Sequence, residues 1–192
     1  MGKSATGKDS IYQQLLKDMP FLKEVVSYTT RPIRRGEQDG ITYHFRTETE
    51  LEQVKAAGKI IECRTYETAH GPWHYFTVDD DQFQSAQHNI IIGTLTSYLA
   101  LRAHFGAERV LPIYIEVEDG ERLARALKRE RKQEEPKYVE MCRRFIADSE
   151  DFSAEKLMEA GVLRVFINAN RDECIKEIEE YIKQAIDVAI KG

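Results

Sequence analysis

The sequence predicts an α/β fold, a parallel sheet packed between helices in three layers. Three observations carry that reading. Strand-like and helix-like patterns alternate along the 192 residues, the order that puts crossover helices over a parallel sheet. Val110–Val117 is apolar and rich in β-branched residues, as a strand covered on both faces is. Gly2-Lys-Ser-Ala-Thr-Gly7-Lys8 is a glycine-rich loop that runs into a helical pattern, the P-loop of such folds.

The loop comes first in the chain. Gly2 and Gly7 allow backbone conformations that turn successive N–H groups inward to cradle phosphate oxygens. Ser4 lies within that cradle. Lys8 reaches toward terminal phosphates, and the helix that begins there points its positive end at the anion. The next position normally carries a Ser or Thr that ligates Mg²⁺, and here it is Asp9. Either Ser10 supplies the hydroxyl one residue later, or Asp9 holds the metal, directly or through water. The helix that follows gathers Ile11, Leu15 and Leu16 on one face. A phosphate loop is ordinarily fed by a strand in the middle of the sheet. Only Met1 precedes Gly2, so the first core strand is expected upstream of Met1, as an apolar, β-branched segment.

Strands are then expected near 24–28 and 42–46, with Pro32, Gly36 and Gly40 marking turns between them. Thr47-x-x-Glu50 opens a helix over 47–57 as a capping box. Strands at 59–66 and 73–78 follow, and Asp79-Asp80-Asp81 reads as a helix start. Asn89–Gly93 is a buried strand that leads into a helix ending near 105. Val110–Val117 is the central strand. Helices over 119–133 and 137–151 precede a strand at 163–167. Asn170, with Glu173 three positions on, caps a final helix from 171.

Composition narrows the function classes. A net charge of −5 and a pI near 5.6 argue against nucleic acid or an anionic membrane as the main partner. No apolar run approaches membrane-spanning length and no apolar leader is visible. Cys63, Cys142 and Cys174 are odd in number and far apart, reading as reduced thiols of a cytoplasmic protein. His70 and His74 are separated by Gly71-Pro72, so no metal is expected there.

In this acidic chain Arg31 and Arg34 fall in one loop, with a tyrosine close behind. Two guanidinium forks and a phenol hydroxyl suit a phosphate monoester, giving bidentate donors and charge neutralisation. The plainer alternative is an exposed loop whose arginines pair with Glu37 and Asp39. Ser27 to Phe45 reads Ser-x-Thr-Thr-Arg-x-x-Arg-x-Gly-Glu-x-x-Gly-x-x-Tyr-x-Phe without a gap. Together with the phosphate loop, that segment resembles the guanylate kinases.

The resemblance implies a P-loop kinase core (1–28 and 88–192), a small β-rich acceptor-binding subdomain (29–87) and a helical lid (about 122–144). It implies in-line transfer of the γ-phosphoryl of ATP, with Mg²⁺, to a nucleoside monophosphate, GMP foremost. Arg31, Arg34, Tyr43 and Tyr75 would hold the acceptor phosphate, and Ser27, Glu62 and Thr77 would read guanine. A carboxylate at Glu62 accepts from guanine N1–H and the 2-amino group, donors that adenine lacks; such sites discriminate by about 10⁴–10⁵. Arg144 matches a lid arginine, in Arg-Phe-Ile-Ala-x-x-x-Asp, while Arg131 and Arg129 compete for the other. Asn168 matches a loop near adenine. The chain departs from the family's pattern at Ala5 and Asp9, and at Phe76, where a ring replaces a glycine near the acceptor. It departs most at Ile90–Thr96, which ends in no carboxylate and offers only Thr94 and Thr96 as hydrogen-bonding side chains. These departures leave open another monophosphate or a phosphosugar as acceptor. A non-catalytic guanylate-kinase-like binding module is the third reading, against which Lys8 stands.

Overall fold

Local signals set most of the elements. The computed structural model describes residues 1–68, 71–83 and 88–191. Helix α1 (Lys8–Asp18) starts from Gly7, left-handed at φ 84°, and buries Ile11, Tyr12 and Leu15. Strands β1 (Leu22–Glu24), β2 (Tyr28–Thr29) and β3 (His44–Phe45) follow. The strand expected near 24–28 is thus two short ones. Between them the Gln82 side-chain amide claims the backbone of Val26, accepting from its N–H at 2.8 Å and donating to its carbonyl at 3.3 Å.

Helix α2 (Glu48–Ala56) opens on the expected capping box, with Thr47 and Glu50 bonded reciprocally. Strands β4 (Ile60–Thr68) and β5 (Gly71–Val78) pair antiparallel. Asp81–Phe83 forms a 3₁₀ turn. Strand β6 (His88–Ile90) and helix α3 (Leu95–Phe105) come next, then β7 (Tyr114–Glu116). β7 is shorter than the Val110–Val117 pattern, and Pro112 lacks the N–H that a ladder needs. Helices α4 (Asp119–Glu130) and α5 (Tyr138–Asp151) are followed by a short helix the periodicity did not reveal, α6 (Ala154–Glu159), capped by Ser153. Strand β8 (Val165–Ile167) and helix α7 (Arg171–Lys191) complete the order. Asn170 caps α7, its Oδ1 accepting from Asp172 N–H at 3.1 Å.

The strands form a four-stranded sheet, β3-β2-β5-β4, and two parallel ladders, β1-β6 and β7-β8. The fold is mixed α/β with parallel strands, but the expected single parallel sheet is divided into these ladders. The other edge of β7 is met by Met1, whose amino group donates to Ile113 O at 2.7 Å and whose carbonyl accepts from Ile115 N–H at 3.0 Å.

The chain divides into two units. The first comprises Met1–Met19, Ile92–Leu99 and Ala107–Gly192, and its core includes Leu95, Tyr98, Tyr114, Phe152 and Leu157. The second comprises Pro20–Ile91 and Ala100–Gly106, with a core of Leu51, Phe76 and Val78. Side chains alternate along β5, so Phe76 faces this core. It is wholly buried and stacked on Tyr28 at 5.4 Å. The Phe76 ring, in the position where the sequence departs from the pattern, is thus turned to the core, on the face of β5 opposite Tyr75 and Thr77. Among the described residues no helix is long and apolar enough to cross a membrane.

Gly2 carries a packing constraint that composition hides. A Cβ there would lie 2.5 Å from the Ile115 carbonyl oxygen. Gly2→Ala should therefore displace the start of the loop and cost about 1–3 kcal/mol. Thermal unfolding would register this as a lowered Tm; an unchanged Tm would show that the loop yields freely.

Candidate active site

In the first unit the phosphate loop is pinned from several sides. Thr6 Oγ1 donates to Lys3 O at 2.9 Å, and Asn168 Nδ2 donates to Thr6 O at 2.8 Å. Asn168, at the end of β8, is itself buried and bonded through its N–H to Glu116 O at 2.8 Å. Its side-chain amide is thus a strut under the loop, and a Cβ on Gly7 would approach that amide to 2.8 Å. Ser4 N–H donates to Asp148 Oδ2 at 2.7 Å. By contrast, the backbone N–H groups of Ala5, Thr6, Gly7, Lys8 and Asp9 meet no acceptor among the described residues. A run of unclaimed amides at a helix start is an anion cradle.

Ala5 holds φ 65°, the one non-glycine with positive φ among the described residues. That conformation costs an L-residue about 1–2 kcal/mol, and it persists because the bonds around it fix the backbone. Glycine, the residue usual in such loops, carries no such strain.

Lys8 Nζ lies 3.7 Å from Asp9 Oδ1, and the Asp9 side chain is 77% exposed. Ser10 Oγ donates back to Gly7 O at 3.1 Å. Of the two metal candidates, Asp9 therefore presents the open oxygens. Magnesium is commonly held by one or two carboxylates together with substrate phosphates, and this donor set fits such a cation. Among the described residues no three His, Cys, Asp or Glu side chains gather around a point. Arg131 caps the C-terminal end of α4 and is exposed. Arg144 pairs with Glu140 at 2.8 Å along α5, beside an Arg143–Glu140 pair at 2.7 Å. Arg143 first, then Arg144, hold the Glu140 carboxyl down at about 2.

In the second unit the residues expected to hold an acceptor phosphate converge. Arg31 is 4% exposed. Its Nε donates to Tyr75 Oη at 3.1 Å, Nη1 to Pro32 O at 2.9 Å, and the fork grips Glu37 at 2.6 and 2.7 Å. Nε, both Nη1 hydrogens and one Nη2 hydrogen are thereby engaged, which leaves one Nη2 hydrogen for an incoming anion. The guanidinium lies 5.3 Å from the Tyr43 ring centre and 5.4 Å from that of Phe45. Tyr43 meets Tyr75 edge-on at 5.6 Å, and burial raises the Tyr43 phenol above its ordinary range. Arg34 donates its N–H to Glu37 Oε2 at 2.8 Å, and its guanidinium sits 5.9 Å over Trp73. The plain ion-pair reading is thus realised for Arg31 and Glu37, inside a cluster that also contains the tyrosines.

Of the three residues expected to read a base, Glu62 and Thr77 meet. Glu62 is buried; its Oε1 accepts from Thr77 Oγ1 at 2.9 Å and its Oε2 from Arg64 Nε at 3.0 Å. A carboxylate has four lone-pair sites, so each oxygen keeps one for a base N–H. Arg64 escaped the sequence reading although the signal was present: residues i and i+2 of a strand share a face. Ser27 lends its carbonyl to His44 N–H at 2.9 Å. Thr94 Oγ1 accepts from Ser97 N–H at 3.2 Å, capping α3, and Thr96 is exposed. His70 lies outside the described residues.

Glu37 gives this cluster an acid limit. The hydrogen bonds from Arg31 above all hold its carboxyl at about 2, against 4.5 when unperturbed. A depressed carboxyl stabilises the fold above its unfolded pKa and loses that contribution as pH falls toward the folded value. The cluster should therefore loosen between about pH 4.5 and 2, read by Trp73 fluorescence. Glu37→Gln should remove that titration, and an identical curve in the variant would assign the step elsewhere.

The guanylate kinase family model matches residues 1–74. The chain is 43% identical over 74 residues to a guanylate kinase of Granulibacter bethesdensis, a match covering 36% of this chain and 35% of that one. It is 45% identical over 66 residues to a guanylate kinase of Schizosaccharomyces pombe, covering 34% and 33%. The chain thus spans about a third of the length of these curated relatives. The guanylate kinase structure of Anaplasma phagocytophilum superposes with a TM-score of 0.60 at 19% identity, covering 95% of this chain and 82% of that one.

Proposed function

We propose that the chain transfers the γ-phosphoryl of ATP to a nucleoside monophosphate, GMP foremost, because residues 1–74 match the guanylate kinase family model and the fold is similar to that of a guanylate kinase. The observation that carries this reading is the convergence of Arg31 and Tyr43, both from a complete Ser27–Phe45 pattern, with Tyr75 of β5. In the donor half, the free amides of Ala5 to Asp9 and the Lys8 ammonium receive the triphosphate. Asp9 is the side chain that would hold Mg²⁺, whose charge, when it is bound, offsets that of the phosphates. In the acceptor half, Arg31, Arg34, Tyr43 and Tyr75 orient the monophosphate. Glu62 and Thr77, with Ser27, read the base. Arg131 and Arg144 are the arginines assigned to offset developing charge, and Asn168 supports the loop.

Phosphoryl transfer asks little covalent chemistry of a protein, so positioning and charge stabilisation supply the rate. Substrates of this class and the thiols Cys63 and Cys142 at the surface suit a cytoplasmic enzyme. A second reading, transfer to a different monophosphate or a phosphosugar, is favoured by one observation. The strand end before α3 brings no carboxylate to the base, and Thr94 is occupied as a cap. The test is ADP release from MgATP with GMP, dGMP, AMP, CMP, UMP and a phosphosugar. Turnover confined to GMP and dGMP supports the first reading; turnover with another acceptor establishes the second. Silence with GMP still bound would favour a binding module.

A further inference from the structure

Arg122 is a fully buried guanidinium in the first unit, 1% exposed. It comes from a stretch of α4 crowded with charge. Nε and Nη2 reach Asp119 Oδ1 at 3.1 and 3.0 Å. Nη1 lies 3.4 Å from Asp148 Oδ2 and 3.5 Å from the Ser4 carbonyl, and Nη2 lies 3.5 Å from Ser149 Oγ. The guanidinium covers the Phe145 ring at 4.0 Å. Asp148, on α5, accepts from Ser4 N–H at 2.7 Å. The Ser4 residue is therefore held at its N–H by one member of an ion pair and approached at its carbonyl by the other. The next residue is Ala5, at φ 65°, and after it runs the series of unclaimed amides.

Desolvating a charge pair tends to cost as much as its attraction returns, so apolar packing would serve stability equally well at this place. What apolar packing cannot supply is an acceptor for Ser4 N–H. We propose that Asp148 is a positioning residue for the donor phosphates, fixing Ser4 so that the amides of Ala5 to Asp9 stay turned inward, and that Arg122 serves it as the buried counter-charge that an ionised carboxylate needs there and an asparagine does not. Neither side chain touches the nucleotide; both act through the loop. The proposal rests on the donor-site part of the kinase reading and is independent of which acceptor is used.

The experiment is isothermal titration of MgATP into the parent chain and into R122L/D148A and R122L/D148N, with thermal unfolding of each. Removing both charges should leave Tm equal to or above the parent's. MgATP affinity of R122L/D148A should fall by about tenfold, the scale of losing a hydrogen bond to a charged group. R122L/D148N returns an acceptor for Ser4 N–H and should recover most of that loss. In turnover, the KM for ATP should rise while the KM for the acceptor stays flat. Parent-like or tighter MgATP binding by R122L/D148A overturns the proposal, as does a failure of the asparagine to recover affinity. If the parent binds MgATP yet phosphorylates no acceptor, the kinase reading fails alone, and the binding series still decides the role of the pair.

Discussion

Lys8→Met should reduce turnover by about 10³ while acceptor affinity is unchanged. The loop amides supply only partial charges, and a full positive charge must come from a side chain. Lys3 has its ammonium 3.7 Å from Asp119, on the side of the Arg122 network. Lys8 is different: it opens α1, is 23% exposed, and its ion partner is Asp9, the exposed carboxylate assigned to the metal. Methionine keeps the length and apolar stem of the side chain, so stability should stay within about 0.5 kcal/mol of the parent. The measurement is kcat by coupled ADP release beside acceptor binding measured without ATP. A drop of less than tenfold would mean that the amides and the metal suffice, and that Lys8 is a structural residue of the helix start. A parallel loss of acceptor binding would contradict the division of labour between donor and acceptor residues.

What was legible in the sequence was local. The boxes at Thr47–Glu50 and Asn170–Glu173 start helices where they predict, because a cap is satisfied within three residues of itself. Gly2 and Gly7 have φ and packing demands that only glycine meets, and the spacing of the loop betrays them. The misses that bear on the site come mostly from partners far along the chain. The Val25-Val26 pattern predicts one strand, but Gln82, distant in sequence, takes the Val26 backbone and the strand stops. The side of β5 that Phe76 takes is fixed by its packing on Tyr28, a residue distant in sequence. The charge run that begins at Arg122 has the composition of a solvated helix face, and for Arg125, paired with Glu121 one turn away, that is its state. Arg122 has the same composition and the opposite fate, since Asp148 and Phe145 arrive from α5 to bury it. Residue type predicts the chemistry at such a position; only the packing of another helix decides whether water shares it.

Arg31→Ala should raise the acceptor KM by about 10², with ATP affinity unchanged, yet this result alone would not identify the role of Arg31. Arg31 is both a proposed phosphate donor and the partner that neutralises Glu37 at 2.6 Å. Truncating it leaves the Glu37 carboxylate with the Arg34 N–H and little else, which should cost about 2–3 kcal/mol, somewhat below a wholly buried pair because Glu37 keeps some water. A loosened cluster would itself misplace Tyr43 and Tyr75, and acceptor binding would weaken for that indirect reason. The double variant R31A/E37Q separates the two causes. Glutamine removes the unpaired charge while keeping an oxygen to accept from Arg34 N–H, so most of the stability should return. If Arg31 binds the phosphate, the acceptor KM stays high in the stabilised double variant. If Arg31 merely ties the loop, KM returns toward the parent value as Tm does. Thermal unfolding and acceptor kinetics on the same three proteins therefore distinguish a guanidinium that meets the substrate from one that only holds its neighbours in place.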